Sequence, residues 1–510
     1  MVRIEAERDI ERLRQVALLL QSENDRLHRR LQELVSELAK LQGKDAVDLQ
    51  LEIALLQEQL VARTRALFAP SSEKRPGSKE ARENAEAAGQ TSPRRGHGPK
   101  QQPQLPIVEK VHTLDEADKT CPKCGGDLRQ WEGQFEESEE IDVVQRSFRV
   151  VRHKRQKYRC QCGQCIDTAL GPTKLVAGGR YSIDFAVEVA VSKYADHLPL
   201  ARQTRQMARQ GLEVDTQTLW DQIFALARHL RPTHEALHDY VLSAAVIGAD
   251  ETTWRLLGEK DESQSGKSWW AWSVTRPDAV CYRIFPSRSA EAAGEILKDF
   301  RGIVVADGYS AYGALRRQTS SARDGPRFEL AACWAHARRK FLEAEPDYPE
   351  AAQVREKIRA LYQIEARARE AQVLDHAAYL AELRRTESAP ILDAIRDWLL
   401  SRPTLPRSSL GRAVGYTLEL WPGLERFLTD PSIPIDNNQT ERAMRGVAIG
   451  RKNHYGSRSL RGTEVAALFY SLIESAKLSA LEPGRYLAEA ARRAIENSGM
   501  VTLPRDLLQA

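Results

Sequence analysis

Three acidic residues lie at positions where a divalent cation could be held. Asp250 follows an apolar run at residues 244–249, and Asp307 follows a second apolar run at residues 302–306. Short β-branched runs closed by a polar residue are typical of buried strands, so each aspartate is predicted at a strand exit. Glu441 lies in the stretch 436–442, which is predicted to open a helix. Three such carboxylates form an all-oxygen site suited to Mg²⁺ or Mn²⁺, and paired ions of this kind promote phosphoryl transfer.

Each of these acids also has an ordinary structural interpretation. An aspartate at a strand end often forms a turn or caps the following helix. Glu441 has capping-box spacing from Asn438, so its carboxylate could bond to the backbone at the start of its own helix. Taken alone, the three residues leave both interpretations open.

The length and composition limit the architecture and the location. At 510 residues the chain is expected to form about three or four compact units. Neither an apolar stretch of about 20 residues nor a signal peptide is recognisable, so no membrane association and a cytoplasmic location are predicted. The net charge of +4 is modest, but residues 146–159 carry seven Lys and Arg residues without an acid. A basic stretch of this kind suits a polyanion, and it is predicted to be a strand with a cationic edge.

A heptad pattern near the N-terminus predicts a coiled coil over residues 1–68. Leucine recurs every seven residues, and a mostly apolar residue stands three positions before each leucine. Asn24 occupies one of these preceding positions, where a single asparagine is typical of a two-stranded register. A homodimer is therefore predicted, with a long amphipathic helix packed on its own protein as the alternative. The leucines are Leu13, Leu20, Leu27, Leu34 and Leu41.

Residues 69–107 are rich in Ser, Gly, Pro, Gln, Glu and Lys and nearly lack large apolar side chains. Such a composition cannot bury a core, so a flexible linker is predicted. The basic stretch at residues 93–100 could contact DNA, or it could simply be solvated.

Five of the seven cysteines form two clusters, which predicts a zinc-binding domain over residues 108–170. Clustered cysteines in a reducing cytosol favour metal binding over disulfides. Two Cys pairs on turns can complete a tetrahedral structural Zn²⁺ site in a ribbon-like fold. Five free buried cysteines are the alternative. The predicted ligands are Cys121, Cys124, Cys162 and Cys165, with Cys160 able to replace either member of the second pair.

Residues 171–240 are predicted to form three helices, at 183–194, about 200–210 and about 216–230. A short glycine-containing turn before the third helix is similar to a helix-turn-helix, in which Thr216 and Gln217 would begin the recognition helix. Arg202, Arg205 and Arg209 would then contact phosphates. Three packed helices without any DNA contact fit the same pattern.

The order of elements around the acids predicts a ribonuclease-H-like α/β core. Strands ending near Asp250 and at residues 268–274 and 280–285 are followed by a helix at about 290–300 and the strand ending at Asp307. A basic helix start at residues 333–341 comes next. Helical residues from about 348 to 428 then separate this helix from Glu441, and they are predicted to be an insertion into the core.

Several motifs in this order resemble the insertion-sequence-66 family of bacterial transposases over nearly the full length of the chain. The resemblance implies that Asp250, Asp307 and Glu441 form a metal-binding acid triad and that DNA is the substrate. It also implies that basic residues near the triad contact DNA; ordinary solvated charge is the alternative. These residues are Arg442, Arg445, Arg451, Lys452, His336 and Arg338. The motifs are Asp250-Glu251-Thr252, Ala306-Asp307-Gly308-Tyr309, Trp334-Ala335-His336-Ala337-Arg338, Asn437-Asn438-Gln439-Thr440-Glu441-Arg442 and Gly450-Arg451-Lys452-Asn453.

The sequence thus predicts a multidomain α+β protein that acts as a DDE-type DNA transposase in the bacterial nucleoid. Metal-dependent cleavage at the inverted repeats of an element would release a 3′-hydroxyl, which would attack target DNA. The resemblance also implies small companion proteins of the same element as further partners. A zinc-dependent DNA-binding regulator and a nuclease that cuts without joining are the alternatives. After the zinc-binding domain, the predicted parts are a helix-turn-helix-like segment at 171–240, a catalytic core at 241–465 with an insertion at about 345–430, and a helical segment at 466–510.

Overall fold

The computed structural model describes residues 147–159, 166–258, 269–320 and 325–508, together with Leu55, Glu58 and Lys123. The chain divides into two compact units, one formed by residues 1–63 with 147–510 and the other by residues 64–146. The elements described here belong to the first unit. Apart from Leu55 and Glu58, the predicted coiled coil lies outside the described residues, as do the predicted linker and the clustered cysteines.

The basic stretch is only partly a strand. Strand β1, Lys157–Arg159, pairs antiparallel with β2, Ile166–Thr168. Residues 147–156 before it form neither helix nor strand. The predicted strand is therefore confirmed only at the C-terminal end of the stretch.

Three helices follow where the sequence predicts them. Helix α1, Ile183–Tyr194, begins at a serine cap, since the Ser182 hydroxyl accepts a hydrogen bond from the Phe185 backbone N–H. Helix α2 is Leu200–Arg209, and α3 is Thr216–Leu242. Helix α3 is longer than predicted because its buried residues continue at helical spacing beyond Pro232, up to Val241.

A five-stranded mixed sheet lies at the centre of the unit. Its order is β5-β4-β3-β6-β7, in which β4 is antiparallel to both β3 and β5, and β6 and β7 are parallel to β3. Helices α4, Ala290–Leu297, and α5, Ser310–Gln318, connect β5 to β6 and β6 to β7. The strands are β3 Val246–Trp254, β4 Trp269–Arg276, β5 Ala279–Phe285, β6 Ile303–Ala306 and β7 Glu329–Ala332.

The prediction that Asp250 stands at a strand exit is wrong. Strand β3 continues to Trp254, which pairs with Trp269 of β4. The residues after Asp250 include Thr252, Thr253 and Trp254, β-branched and aromatic side chains that favour extended structure. Asp307 does follow the end of its strand directly.

The rest of the unit is helical. The region predicted as an insertion contains several helices and one π-helical turn, Arg384–Ser388. Short 3₁₀ turns occur at Arg426–Leu428 and Pro504–Leu507. The α-helices are α6 Trp334–Ala344, α7 Ala351–Glu370, α8 His376–Leu383, α9 Ala389–Ser401, α10 Ser409–Glu419, α11 Trp421–Leu424, α12 Asn438–His454, α13 Leu460–Leu478 and α14 Pro483–Glu496.

Apolar cores cover both faces of the sheet. Val304 belongs to a cluster formed with α1, α3, α13 and α14, whereas its neighbour Val305 belongs to a cluster formed with α6, α7, α9 and α10. Successive side chains of a strand point to opposite faces, which explains the division. The helices at 183–242 therefore share one core with the sheet, and the helices at 334–419 pack on its other face.

Candidate active site

The register of two parallel strands brings Asp250 and Asp307 close together. Gly248 of β3 is paired with Val305 of β6. Two residues further along, Asp250 and Asp307 occupy corresponding positions on neighbouring strands, which lie about 4.8 Å apart in a sheet. The Tyr309 backbone N–H donates to Asp307 Oδ1 at 2.9 Å. The turn after Asp307 depends on Gly308, whose φ of +88° is readily adopted only by glycine.

Gly248 lets the start of α12 approach the same face of the sheet. A Cβ atom on Gly248 would lie 2.1 Å from Thr440 Oγ1 and 2.8 Å from Asn437 Oδ1, closer than real contacts permit. The Asn437 side-chain amide donates to the Ala249 carbonyl at 2.8 Å. Because residues 248 and 250 of a strand share a face, this contact places the first turn of α12, with Glu441, over Asp250.

The Glu441 carboxylate does not cap its own helix. The N–H of Asn438, which the capping box would use, donates to Asp436 Oδ1 at 3.0 Å, and Asn437 is the N-cap residue. Among the described residues, the buried Glu441 Oε1 has no hydrogen-bond partner. It lies 3.6 Å from His336 Nδ1, and Glu441 Oε2 lies 3.9 Å from an Arg339 nitrogen. The Oε1 atom could thus accept a ligand.

The site concentrates negative charge. Burial, followed by the charges of Glu251, Asp307 and Glu441, raises the pKa of Asp250 to about 7. Like charges in a poorly solvated place disfavour ionisation, and a divalent cation would reverse that effect. The unpartnered Glu441 oxygen and the crowded carboxylates therefore fit a hard cation with oxygen ligands.

The sequence reasoning missed an ion pair beneath the site, between the buried carboxylate of Glu251 and the half-buried guanidinium of Arg288. Glu251 points to the opposite face from Asp250 and accepts two hydrogen bonds from Arg288, at 2.9 and 2.5 Å. The Tyr312 hydroxyl donates to its other oxygen at 2.9 Å. The Arg288 guanidinium also stacks 3.7 Å from the Tyr309 ring centroid. The Asp250-Glu251 pair of adjacent acids was the only sequence signal, and it does not show which arginine would approach.

Among the residues predicted to contact DNA, those on α12 divide into two groups. Arg442, Arg445 and Lys452 are exposed and recur at helical spacing beside Glu441. Arg451 instead donates to the Thr253 carbonyl and to the Thr252 and Thr253 hydroxyls, so it fastens α12 to β3.

The other predicted contacts lie on α6 and on the helices before the sheet. His336 and Arg338 are half-buried at the start of α6, and His336 faces Glu441. Thr216 and Gln217 are exposed at the start of α3. On α2, the arginines at 202, 205 and 209 are all exposed.

Comparison with known proteins identifies the family to which the chain belongs. The model of the family described as "Transposase IS66 family" matches residues 178–465, which include all three acids. A second model, the zinc-finger binding domain of transposase IS66, matches residues 118–163, which include Cys121, Cys124, Cys160 and Cys162. Both matches follow the order of the motifs in the sequence.

The chain belongs to the IS66 transposase family, as the resemblance implied. The uncharacterized protein y4jD of Sinorhizobium fredii is 33% identical over 425 residues, which cover 81% of each chain. The uncharacterized protein y4qI of the same organism is 34% identical over 370 residues, covering 70% of this chain and 67% of the relative. Family membership implies an action on DNA, and the zinc-finger match supports a structural Zn²⁺. In the part of the chain that the structure describes, no helix combines the length and apolarity required to cross a membrane.

Proposed function

We propose that the chain is a DNA transposase that cleaves the ends of its element and joins them to target DNA, with Asp250, Asp307 and Glu441 as the catalytic acids. The observation that carries the proposal is the convergence of three acids from β3, the end of β6 and the first turn of α12. Burial, with the charges of Glu251, Asp307 and Glu441 added to it, raises the pKa of Asp250. The sheet order, with the central antiparallel strand β3 beside parallel β6, supports the ribonuclease-H-like core that the sequence predicts.

The three carboxylates would hold divalent cations, Mg²⁺ or Mn²⁺, which activate the attacking oxygen and stabilise the leaving oxygen in phosphoryl transfer. The protein contributes a rigid arrangement of these ligands. Asp307 is held by the Tyr309 N–H, and Asp250 Oδ1 accepts from the Glu251 N–H at 2.8 Å. One oxygen of Glu441 has no hydrogen-bond partner in the described part of the chain. No covalent protein–DNA intermediate is required.

The exposed cations beside the triad would guide the DNA strand. Arg442 and Arg445 extend along α12 from Glu441, and arginine can bind phosphate through two parallel hydrogen bonds. His336, Arg338 and Lys452 are the neighbouring candidates. Arg451 would act through its bonds to β3, as a positioning residue for α12.

Other parts of the chain have proposed roles in the same reaction. Residues 171–240 would bind element DNA through α2 and α3, and residues 1–68 would pair two protomers so that two ends are held together. The zinc ligands would be Cys121, Cys124, Cys162 and Cys165, with Cys160 as the alternative in the second pair. Companion proteins of the same element would assist, and the helical region at about 345–430 would be an insertion in the core.

An in vitro reaction on labelled DNA carrying the ends of the protein's own element tests the proposal. Cleaved and joined products are expected with Mg²⁺, and they should be absent with EDTA. Asp307→Asn should lower the rate by at least about a thousandfold while the protein remains folded. Asp299→Asn is the matched control, because Asp299 is exposed and distant in the fold from the three acids.

The alternatives correspond to different results. Metal-dependent cleavage without any joined product would identify a nuclease that does not join. Sequence-selective binding without cleavage in Mg²⁺ or Mn²⁺ would favour a zinc-dependent regulator. Equal activity of Asp307→Asn and Asp299→Asn would exclude the assigned triad.

A further inference from the structure

A thiol, an imidazole and a carboxylate meet beside the catalytic acids. Cys333 Sγ, a ring nitrogen of His336 and a carboxylate oxygen of Glu441 all lie within 4.8 Å of one another. Cys333 is fully buried, whereas His336 and Glu441 are half-buried. Among the described residues, these are the only three His, Cys, Asp or Glu side chains with this arrangement.

Two helix starts hold the three side chains together. Cys333 is the N-cap residue of α6, and His336 lies in the first turn of that helix. The Asn437 N–H donates to Cys333 Sγ at 3.2 Å, and the Trp334 N–H donates to the Ile435 carbonyl at 3.1 Å. These bonds join the start of α6 to the segment that leads into α12. The site is therefore positioned by the backbone and does not depend on flexible side chains alone.

The distances suit a bridging cation better than a hydrogen bond. His336 Nδ1 and Glu441 Oε1 are 3.6 Å apart, too far for a good hydrogen bond, and neither buried atom has a hydrogen-bond partner among the described residues. Ligands of a tetrahedral Zn²⁺ at about 2.0–2.2 Å from the metal are separated by about 3.4 Å. A small movement of the thiol would complete three protein ligands.

The geometry points to a second metal site, formed by Cys333, His336 and Glu441, that takes a borderline-soft divalent cation such as Zn²⁺, Co²⁺ or Cd²⁺. Sulfur and imidazole ligands select these ions over Mg²⁺, which prefers oxygen. Glu441 belongs to both sites, so occupation of the second site withdraws the third acid from the catalytic triad. This consequence rests on the proposed function, whereas binding itself does not.

Cobalt binding in the absence of DNA tests the site. The full-length protein is first loaded with one equivalent of Zn²⁺, so that the cysteine-rich site is filled, and Co²⁺ is then added. We expect one equivalent of Co²⁺ to bind with a thiolate-to-metal charge-transfer band, to which Co²⁺ held by the oxygen ligands of the three acids would not contribute. That band should be lost in Cys333→Ser, and Glu441→Gln should weaken binding by more than about tenfold. The Ser variant keeps a hydrogen-bond acceptor for the Asn437 N–H.

Cys281→Ser is the matched control, because Cys281 is also buried and its Sγ lies 3.5 Å from His234 Nε2. The control should retain the band. No band in the wild-type protein, a band that survives Cys333→Ser, or loss of the band in Cys281→Ser would each overturn the assignment. Circular dichroism of each variant separates loss of the site from loss of the fold.

The consequence for catalysis is measured separately. Zn²⁺ in excess of the filled cysteine-rich site should lower Mg²⁺-dependent cleavage at least tenfold, and the ratio of rates with and without excess Zn²⁺ should approach one in Cys333→Ser. An equal zinc ratio in both proteins would overturn the sharing of Glu441. Absence of cleavage in Mg²⁺ alone would count against the proposed function and would leave the cobalt result unaffected.

Discussion

Loss of Arg288 should destabilise the protein through the buried carboxylate of Glu251. The Glu251 side chain is 1% exposed, and the Arg288 guanidinium supplies its only described cationic partner. Burial already raises the pKa of Glu251 above its ordinary value, even with Arg288 and Tyr312 hydrogen-bonded to it. In Arg288→Met, the apolar stem is kept and the charge is removed. The carboxylate would then be protonated on folding, as unpaired buried acids commonly are.

The size of the effect follows from the cost of that protonation. Binding a proton at pH 7 by a group with an ordinary pKa of 4.5 costs up to about 3 kcal/mol. Loss of the cation–π contact with Tyr309 adds about 1 kcal/mol. We therefore expect the free energy of unfolding to fall by about 3–4 kcal/mol at pH 7, close to the range for breaking a buried ion pair.

The pH dependence has a definite sign. In the variant, the pKa of Glu251 is raised further above its value in the unfolded chain, so the folded state binds the additional proton. Stability relative to the wild-type protein should therefore rise as pH falls. At pH 5 the protonation cost is under about 1 kcal/mol, so the deficit should shrink by up to about 2 kcal/mol, since wild-type Glu251, whose pKa is also raised, recovers part of the same cost.

Urea unfolding followed by tryptophan fluorescence measures this deficit, because Trp269, Trp270 and Trp272 lie on the adjacent strand β4. The matched control is Arg231→Met, which removes an equally short ion pair with Glu464 whose side chains are 64% and 60% exposed. The control should cost no more than about 1 kcal/mol. The assigned role of Arg288 would be wrong if Arg288→Met lost no more stability than the control, or if its loss were the same at pH 7 and pH 5.

Two further perturbations test other parts of the structure. Gly248→Ala should displace the start of α12 and lower DNA cleavage at least tenfold, because the added Cβ would collide with Thr440. Gly415→Ala is the control: no atom lies within 4 Å of the added Cβ, so cleavage should be unchanged. Burial lowers the pKa of His238 to about 4 in the folded protein. In the unfolded chain its pKa is about 6.5, so between these two pH values the unfolded state binds a proton that the folded state does not. Between pH 7 and 5 this residue should remove about 2 kcal/mol of stability. His238→Gln should reduce that loss in urea unfolding, and an unchanged pH slope would contradict the assignment.

Local sequence determined much of the secondary structure. The β-branched run before Asp307 predicted a strand that ends where β6 ends, and the residues at 183–194 matched α1 because Ser182 is a favourable cap. The order of strands and helices around the acids was also predictable from apolar periodicity. Motifs near Asp250, Asp307 and Glu441 were sufficient to recognise the family, which the family model then matched.

Tertiary structure decided how these residues meet. Sequence spacing allowed Glu441 to cap its own helix, but contact of α12 with Gly248 and α6 directs its carboxylate toward His336 instead. The pairing of Arg288 with Glu251 also joins residues that are distant in sequence.

The sequence predicted the family and most of the described helices and strands, because local periodicity and capping act over a few residues. It could not determine that Cys333 meets Glu441, since these residues are brought together only when α6 and α12 pack on the same face of the sheet. Which faces meet depends on the burial of both cores and on strand register. These are properties of the folded chain as a whole.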